Sequence, residues 1–232
     1  MGELAYQCTN GIVASGPFKG LNYVSAAMGS TLGPKLLGTY EKELESIIEQ
    51  IIDRQYKTII NIGSGEGYFA VGLASRMPGV RVICFEAIEA NRALLQNLAE
   101  RNNVSGQLDI RGLCTAENLA AAIGQSTDML IICDVEGNEL DILRPDQVPA
   151  LDKLDILAEM HDAMLPGVSS EIDRRFKHLH DITVIWTKSR TLSDWPASVT
   201  FDINQRLAIM EESRGGPMSW FWMKAKENQD RR

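Results

Sequence analysis

Three glycines at alternate positions are the part of the sequence best suited to hold a ligand. Gly63, Gly65 and Gly67 follow the apolar run "TIINI" (58–62) and precede an amphipathic segment. A glycine-rich turn between a strand and a helix lets a ligand approach the backbone closely and directs free helix N–H groups at it. A second apolar run ends at Glu86, where an acid can accept hydrogen bonds from both hydroxyls of a ribose.

The spacing of these glycines separates two classes of nucleotide site. A dinucleotide site requires G-x-G-x-x-G, and the third glycine would then replace Tyr68. The sequence has Gly67 instead, and its G-x-G-x-G resembles motif I of the class I S-adenosylmethionine (SAM) methyltransferases. That family often has an acid where Asn61 stands, although Asn61 can still order the turn. A nicotinamide dehydrogenase is therefore the least favoured interpretation, and Glu86 would also repel the 2′-phosphate of NADP.

Two later segments resemble one branch of that family, the FkbM-type methyltransferases. The segment "MLIICDVEGNELDIL" (129–143) resembles their D-V-E-G-x-E-x-x-L signature, and "LDILAEMHD" (154–162) resembles their following strand. The resemblance extends from about residue 38 to residue 190. It implies SAM-dependent O-methylation of a small-molecule hydroxyl, such as that of a sugar or natural product.

The resemblance also implies which residues bind the cofactor SAM. The predicted set is Asn61, Gly63, Ser64, Gly65, Gly67, Glu86, Ala87, Cys114, Thr115 and Asp134. The glycines would surround the amino-acid part of SAM, Glu86 would bind the ribose, and residues 113–115 would lie beside the adenine. From their position alone, Lys35 and Tyr40 could reach the methionine carboxylate.

The candidates for catalysis are His161, Asp134 and Glu159, which lie at or just after predicted strand ends. In the leading hypothesis His161 is a general base, neutral near pH 7, and Glu136 or Asp162 orients it. In a second hypothesis Asp134, Glu159 and Asp162 bind a divalent metal ion that lowers the pKa of the acceptor. In a third, the enzyme only positions the reactants and the acids are structural.

The acceptor side is predicted from position in the fold. Lys188 and Arg190 follow the sixth predicted strand, and Arg214 precedes the last one, so a cationic lining would suit an acidic or phosphorylated acceptor. Glu136 is a further candidate for acceptor binding. Glu139 lies in the first turn of a predicted helix, and we expect it to interact with the helix N-terminus.

Alternating patterns predict the elements that position these residues. Predicted strands are Thr58–Ile62, Arg81–Phe85, Leu108–Arg111, Met129–Asp134, Ile156–Met160, Ile182–Thr187 and Trp220–Ala225. Predicted helices are 40–55, Gly67–Arg76, Glu89–Asn102, Ala116–Ile123, Glu139–Leu143 and Ser169–Phe176. This alternation favours a Rossmann-like, doubly wound α/β fold with a mostly parallel seven-stranded sheet. We expect a loop-rich N-terminal cap (1–39), a methyltransferase domain (40–226) and a flexible tail (227–232).

Composition excludes several other classes. The 232 residues carry a net charge of −8 without a basic block, so no nucleic-acid partner is expected. No apolar run approaches the roughly 20 residues of a membrane helix, and the N-terminus lacks a signal-peptide pattern. Four scattered cysteines without a CxxC pair favour a reduced, cytoplasmic protein. An N-methyltransferase, a non-catalytic SAM-binding partner protein and a homo-oligomer all stay open alternatives.

Overall fold

Apolar, β-branched runs form the strands of one seven-stranded sheet. These strands are β1 (Thr58–Ile62), β2 (Arg81–Phe85), β3 (Leu108–Arg111), β4 (Met129–Cys133), β5 (Asp155–Met160), β6 (His180–Trp186) and β7 (Ser219–Ala225). Their order is β3-β2-β1-β4-β5-β7-β6, and only β7 runs antiparallel to its neighbours in the described sheet. The chain proceeds from β1 to β2 on one side and returns to β4 on the other, so the strand order reverses at β1.

This computed structural model describes residues 1–216 and 218–227. Its helices are α1 (Gly2–Thr9), α2 (Leu32–Leu37), α3 (Glu45–Arg54), α4 (Tyr68–Arg76), α5 (Glu89–Arg101), α6 (Ala116–Ile123), α7 (Glu139–Ile142), α8 (Val168–Phe176) and α9 (Ile203–Met210). The predicted flexible tail lies almost entirely outside the described residues. None of the described helices is long and apolar enough to cross a membrane.

Two apolar clusters cover the two faces of the sheet, as expected for a doubly wound fold. One cluster joins the N-terminal segment, α3, α4 and α5 to residues such as Ile59 and Trp220. The other joins α6, α7 and α8 to residues such as Ile60 and Phe221. Neighbouring residues of one strand thus enter different clusters, because successive side chains of a strand point to opposite faces.

The sequence predicted most element boundaries to within two residues, and the N-terminal segment is the main difference. It contains α1 and α2 where the glycine-rich composition indicated loops. The helix α2 includes Gly33 and Pro34, which are poor helix formers. Close packing of α2 against α9 explains the glycine at position 33, because a β-carbon there would lie 2.3 Å from the Ile209 carbonyl oxygen. The predicted helix 40–55 begins only at Glu45, after a single 3₁₀ turn over Lys42–Leu44.

Candidate functional site

A cavity of about 820 Å³ opens at the carboxyl ends of β1, β2, β4 and β5. This is the edge at which open α/β sheets bind ligands, next to the reversal of strand order. Its walls include the glycine turn, Glu86, the residues after β4 and β5, the N-terminal segment around Met28 and the loop before β7. Its volume lies within the usual range for small-molecule sites.

The three glycines of the turn all have positive φ, at 75° for Gly63, 55° for Gly65 and 103° for Gly67. A β-carbon on Gly63 would lie 1.6 Å from the Asp134 carbonyl oxygen, and one on Gly67 would lie 2.3 Å from Leu95. A β-carbon on Gly65 would meet no atom within 4 Å. Gly63 and Gly67 therefore allow close packing of the turn, whereas Gly65 presents bare backbone to the cavity.

The Glu86 carboxylate is fixed against this turn. One oxygen accepts a hydrogen bond from the Gly65 N–H at 2.8 Å, and the other accepts from the Ile88 N–H at 2.9 Å and the Asn91 side chain at 3.3 Å. A carboxylate has about four acceptor positions. Glu86 therefore retains capacity to accept from a ligand hydroxyl while remaining oriented by its backbone partners.

The other residues predicted to bind the cofactor divide into two groups. Those that line the cavity are Gly63, Ser64, Gly65, Glu86, Ala87, Cys114, Thr115 and Asp134, together with Lys35, Tyr40 and Leu113. Asn61, within β1, and Gly67, at the end of the turn where α4 begins, do not line the cavity. Asn61 is buried within β1, and its carbonyl oxygen accepts the Ser64 hydroxyl at 2.8 Å. The structure therefore corrects the predicted cofactor contact of Asn61, because the side chain lies off the cavity wall and only the backbone carbonyl oxygen supports the turn.

Glu66, within the glycine turn, connects it to the N-terminal segment, and sequence reasoning missed it. Its carboxylate accepts hydrogen bonds from the Tyr23 hydroxyl at 2.7 Å and the Met28 N–H at 3.1 Å, and it pairs with the buried Lys35 ammonium. Burial raises the pKa of Glu66, but Lys35 and Tyr23 together lower it by a larger amount. The net pKa therefore lies below its ordinary value. The ammonium that we placed near a methionine carboxylate thus already has a counter-charge.

Replacing Glu66 with glutamine is expected to reduce the free energy of unfolding by about 3 kcal/mol, because Lys35 would stay buried without its partner. The control Glu49→Gln removes an exposed partner of Arg76 and should change stability by less than about 1 kcal/mol. Urea unfolding followed by tryptophan fluorescence measures both variants. An equal decrease in the free energy of unfolding in Glu66→Gln and Glu49→Gln would contradict a stabilising role for the buried pair of Lys35 and Glu66.

His161 follows β5 directly and lies at the centre of four carboxylates. Its Nδ1 atom is 2.6 Å from Glu139, and its Nε2 atom is 3.4 Å from Glu136, 3.6 Å from Glu159 and 3.7 Å from Asp134. The Glu139 side chain is completely buried. A buried carboxylate at Nδ1 stabilises the tautomer that carries the proton there, which leaves Nε2 as the acceptor towards the cavity.

The titration of this cluster reflects burial and mutual repulsion. Burial lowers the pKa of His161, but the Glu139 hydrogen bond and the Asp134 charge raise it more, so the net pKa lies above the ordinary value. Burial raises the pKa of Asp134 to about 6, although His161 opposes this effect. Burial and the neighbouring Asp134 also raise the pKa of Glu159. Asp134 and Glu159 therefore hold protons more strongly than exposed acids do.

The structure places Asp162 differently from the prediction. Its carboxylate accepts hydrogen bonds from the Gly167 N–H at 3.1 Å and the Ser169 N–H at 3.3 Å, at the start of α8. It therefore satisfies a helix N-terminus, and Glu139 contacts His161 instead. The ligand atoms that lie close enough for one metal ion belong to Asp134, Glu136 and His161, all within 4.8 Å of one another. This set replaces the predicted combination of Asp134, Glu159 and Asp162.

The prediction of a cationic acceptor pocket is wrong, because the arginines proposed for it already form ion pairs with acidic residues of the protein. Arg214 reaches the cavity, but it pairs with Glu41, with Glu159 at 2.7 Å and with Glu212 at 3.0 Å. The Arg190 side chain is only 7% exposed and pairs with Glu43 and Glu212.

Lys188 is exposed and lies off the cavity wall. The described part of the loop before β7 thus contributes only a paired guanidinium, that of Arg214, as positive charge to the cavity.

Comparison with known proteins identifies the architecture. No family model and no curated protein matches the chain. Among solved structures, an O-methyltransferase from Bacillus cereus in complex with SAH matches at a TM-score of 0.52 and 16% identity, covering 79% of this chain and 81% of that one. The chain has the class I methyltransferase fold.

Two further structural neighbours act in different contexts. The O-methyltransferase TomG from Streptomyces achromogenes, involved in tomaymycin synthesis and solved with SAM, matches at a TM-score of 0.50 and 12% identity, covering 81% of each chain. A precorrin-6y C5,15-methyltransferase from Geobacter metallireducens matches at 0.51 and 12% identity, covering 78% of this chain and 89% of that one. The shared fold therefore leaves the acceptor undetermined.

Proposed function

We propose that this chain is a SAM-dependent methyltransferase that transfers a methyl group to a small-molecule hydroxyl. The observation that carries this proposal is the Glu86 carboxylate held on the Gly65 N–H at the floor of a cavity beside the strand reversal. Structural neighbours with the same fold were solved with SAH and SAM, which supports the same cofactor here. The FkbM-type resemblance of residues 129–143 is part of the proposal.

The residues of the cavity fit this cofactor. Gly65 leaves its backbone bare, Glu86 retains acceptor capacity for a ribose, and Cys114 and Leu113 offer apolar surface beside it. Asp134 supplies a carboxylate for the cofactor ammonium. When bound, SAM supplies an electrophilic methyl group, and the protein aligns the acceptor with it.

In this proposal His161 removes the proton from the acceptor hydroxyl. Its Nε2 atom receives the proton, and Glu139, 2.6 Å from Nδ1, stabilises the imidazolium that forms. The neighbouring Asp134 and Glu136 carboxylates favour that positive charge further. A positioned base of this kind contributes roughly 10²–10⁴-fold to the rate.

Binding of S-adenosylhomocysteine (SAH), measured by calorimetry, tests the cofactor assignment. Replacing Glu86 with glutamine is expected to weaken SAH binding by about 10–100-fold, because hydrogen bonds to charged groups contribute about 1.5–3 kcal/mol. The control Glu100→Gln changes an exposed acid at the end of α5 and should leave affinity unchanged. A wild-type chain that binds NAD and fails to bind SAH would overturn the proposal.

A further inference from the structure

The cavity wall beside His161 carries more acidic than basic side chains. The cations that the described residues place on the wall are Lys35, Arg144 and Arg214. Lys35 pairs with Glu66, and Arg144 pairs with Asp146 at 2.6 Å. Arg214 pairs with Glu159, one of the acids around His161, and with Glu41 and Glu212. Among the described residues, no cation of the wall pairs with Asp134, Glu136 or Glu139 apart from His161 itself.

Glu136 is the acid of this cluster that faces outward. Its side chain is 53% exposed, while one carboxylate oxygen lies 3.4 Å from the His161 Nε2 atom. A β-carbon on Gly29 of the N-terminal segment would lie 3.6 Å from the other oxygen. Glu136 thus lies between the N-terminal segment and His161, and no described cation contacts it apart from His161.

Apolar side chains border the same part of the cavity. Met28 and Met164 are 38% and 58% exposed, and both line the cavity, as does Met218. Flexible thioether side chains adapt to the apolar parts of small ligands. An organic cation has apolar groups next to its charge, and therefore suits methionines and a carboxylate better than a hydrated metal ion does.

We propose that the acceptor carries an organic ammonium group near the hydroxyl that is methylated, and that Glu136 recognises this ammonium. This inference rests on the proposed function, since it specifies the substrate class of the same cavity. The hydroxyl lies at the His161 Nε2 atom, the ammonium lies at Glu136, and the methionines contact the carbon skeleton. Recognition of a cation also explains why the predicted cationic acceptor pocket is absent from the described residues.

Two small probes of equal shape test the charge preference. Choline has a quaternary ammonium and a hydroxyl, and its uncharged isostere replaces the nitrogen with carbon. Binding of each probe is measured by calorimetry and saturation-transfer NMR on protein saturated with SAH. The cofactor site is then occupied, and the probes can bind only in the rest of the cavity. We expect choline to bind at least about 10-fold more tightly than the isostere.

Variants assign the preference to Glu136. Glu136→Gln is expected to reduce the preference for choline to less than about 2-fold, while SAH affinity stays unchanged. The control Glu117→Gln changes an exposed acid outside the cavity and should preserve the preference for choline. Equal binding of both probes, including no binding of either, would overturn the inference. So would an unchanged preference in Glu136→Gln.

A metal ion is the competing occupant of this cluster, and titration with Mn²⁺ distinguishes it. Displacement of choline by micromolar Mn²⁺, with loss of Mn²⁺ binding in Glu136→Gln, would overturn the inference in favour of a metal site. SAH binding by the same samples separates the two proposals. A chain that binds SAH without preferring choline keeps the methyltransferase proposal, whereas a chain that binds no SAH loses it.

Discussion

Replacing His161 with alanine is expected to reduce methyl transfer to a hydroxyl acceptor by roughly 10²–10⁴-fold, the usual contribution of a general base. SAH affinity should stay within a few-fold of wild type, because the imidazole lies on the acceptor side of the cavity. Release of SAH during turnover measures the rate. His178→Ala, which changes an exposed histidine at the end of α8, should retain full activity.

The pH dependence of the same reaction reports on Glu139. The folded pKa of His161 lies above its ordinary value of 6.5, so the neutral base forms, and activity increases, as the pH rises through that higher value. Glu139→Gln removes one of the contributions that raise the pKa. In Glu139→Gln we therefore expect the acidic side of the pH–rate profile to move to lower pH, and we expect kcat to decrease.

Three outcomes would contradict the base assignment. A loss below about 5-fold in His161→Ala would favour an N-methyltransferase, because an amine acceptor needs less base catalysis. A wild-type rate that falls to background after removal of metal ions by a chelator, and returns with Mg²⁺ or Mn²⁺, would favour the metal hypothesis. An acidic limb that stays in place in Glu139→Gln would show that Glu139 does not set the His161 pKa.

Replacing Gly63 with alanine is expected to destabilise the protein by more than about 5 kcal/mol, or to prevent folding altogether. The new β-carbon would lie 1.6 Å from the carbonyl oxygen of Asp134. The backbone cannot easily retreat, because β1 and β4 are paired in register at this point and the Asp134 N–H bonds the Ile62 carbonyl oxygen at 2.9 Å. Strain from the positive φ adds about 1–2 kcal/mol.

Gly79→Ala separates the steric clash from the backbone strain. Gly79 has a similar φ of 86°, but a β-carbon there would meet no atom within 4 Å. We expect a loss of only about 1–2 kcal/mol in urea unfolding. Equal stability of the two variants would mean that the turn after β1 is looser than its close contact with Asp134 implies.

Local patterns were enough to predict the sheet and the position of Glu86 beside the glycine turn. Strand and helix periodicity depends on which neighbours along the chain are buried, and β1, β2, β3 and α6 have the predicted bounds. The position of Glu86 at the end of β2 placed its carboxylate against the glycine turn. The second feature depends on residues within one βαβ unit, β1-α4-β2.

Side-chain pairs between distant segments were beyond such patterns. Glu139 meets His161 from 22 residues away, Lys35 meets Glu66 from 31, and Arg214 meets Glu159 from 55. The sequence does not distinguish a charged residue that binds substrate from one that pairs with a buried counter-ion. The path of the chain selects its partner, because a charge removed from water must find an opposite charge or hydrogen bonds wherever the packing places it. The contact between Glu86 and Gly65 also spans 21 residues, but the pairing of β1 with β2 fixes it, and the βαβ pattern predicts that pairing. The partners of His161 and Arg214 became visible only when the elements had packed together.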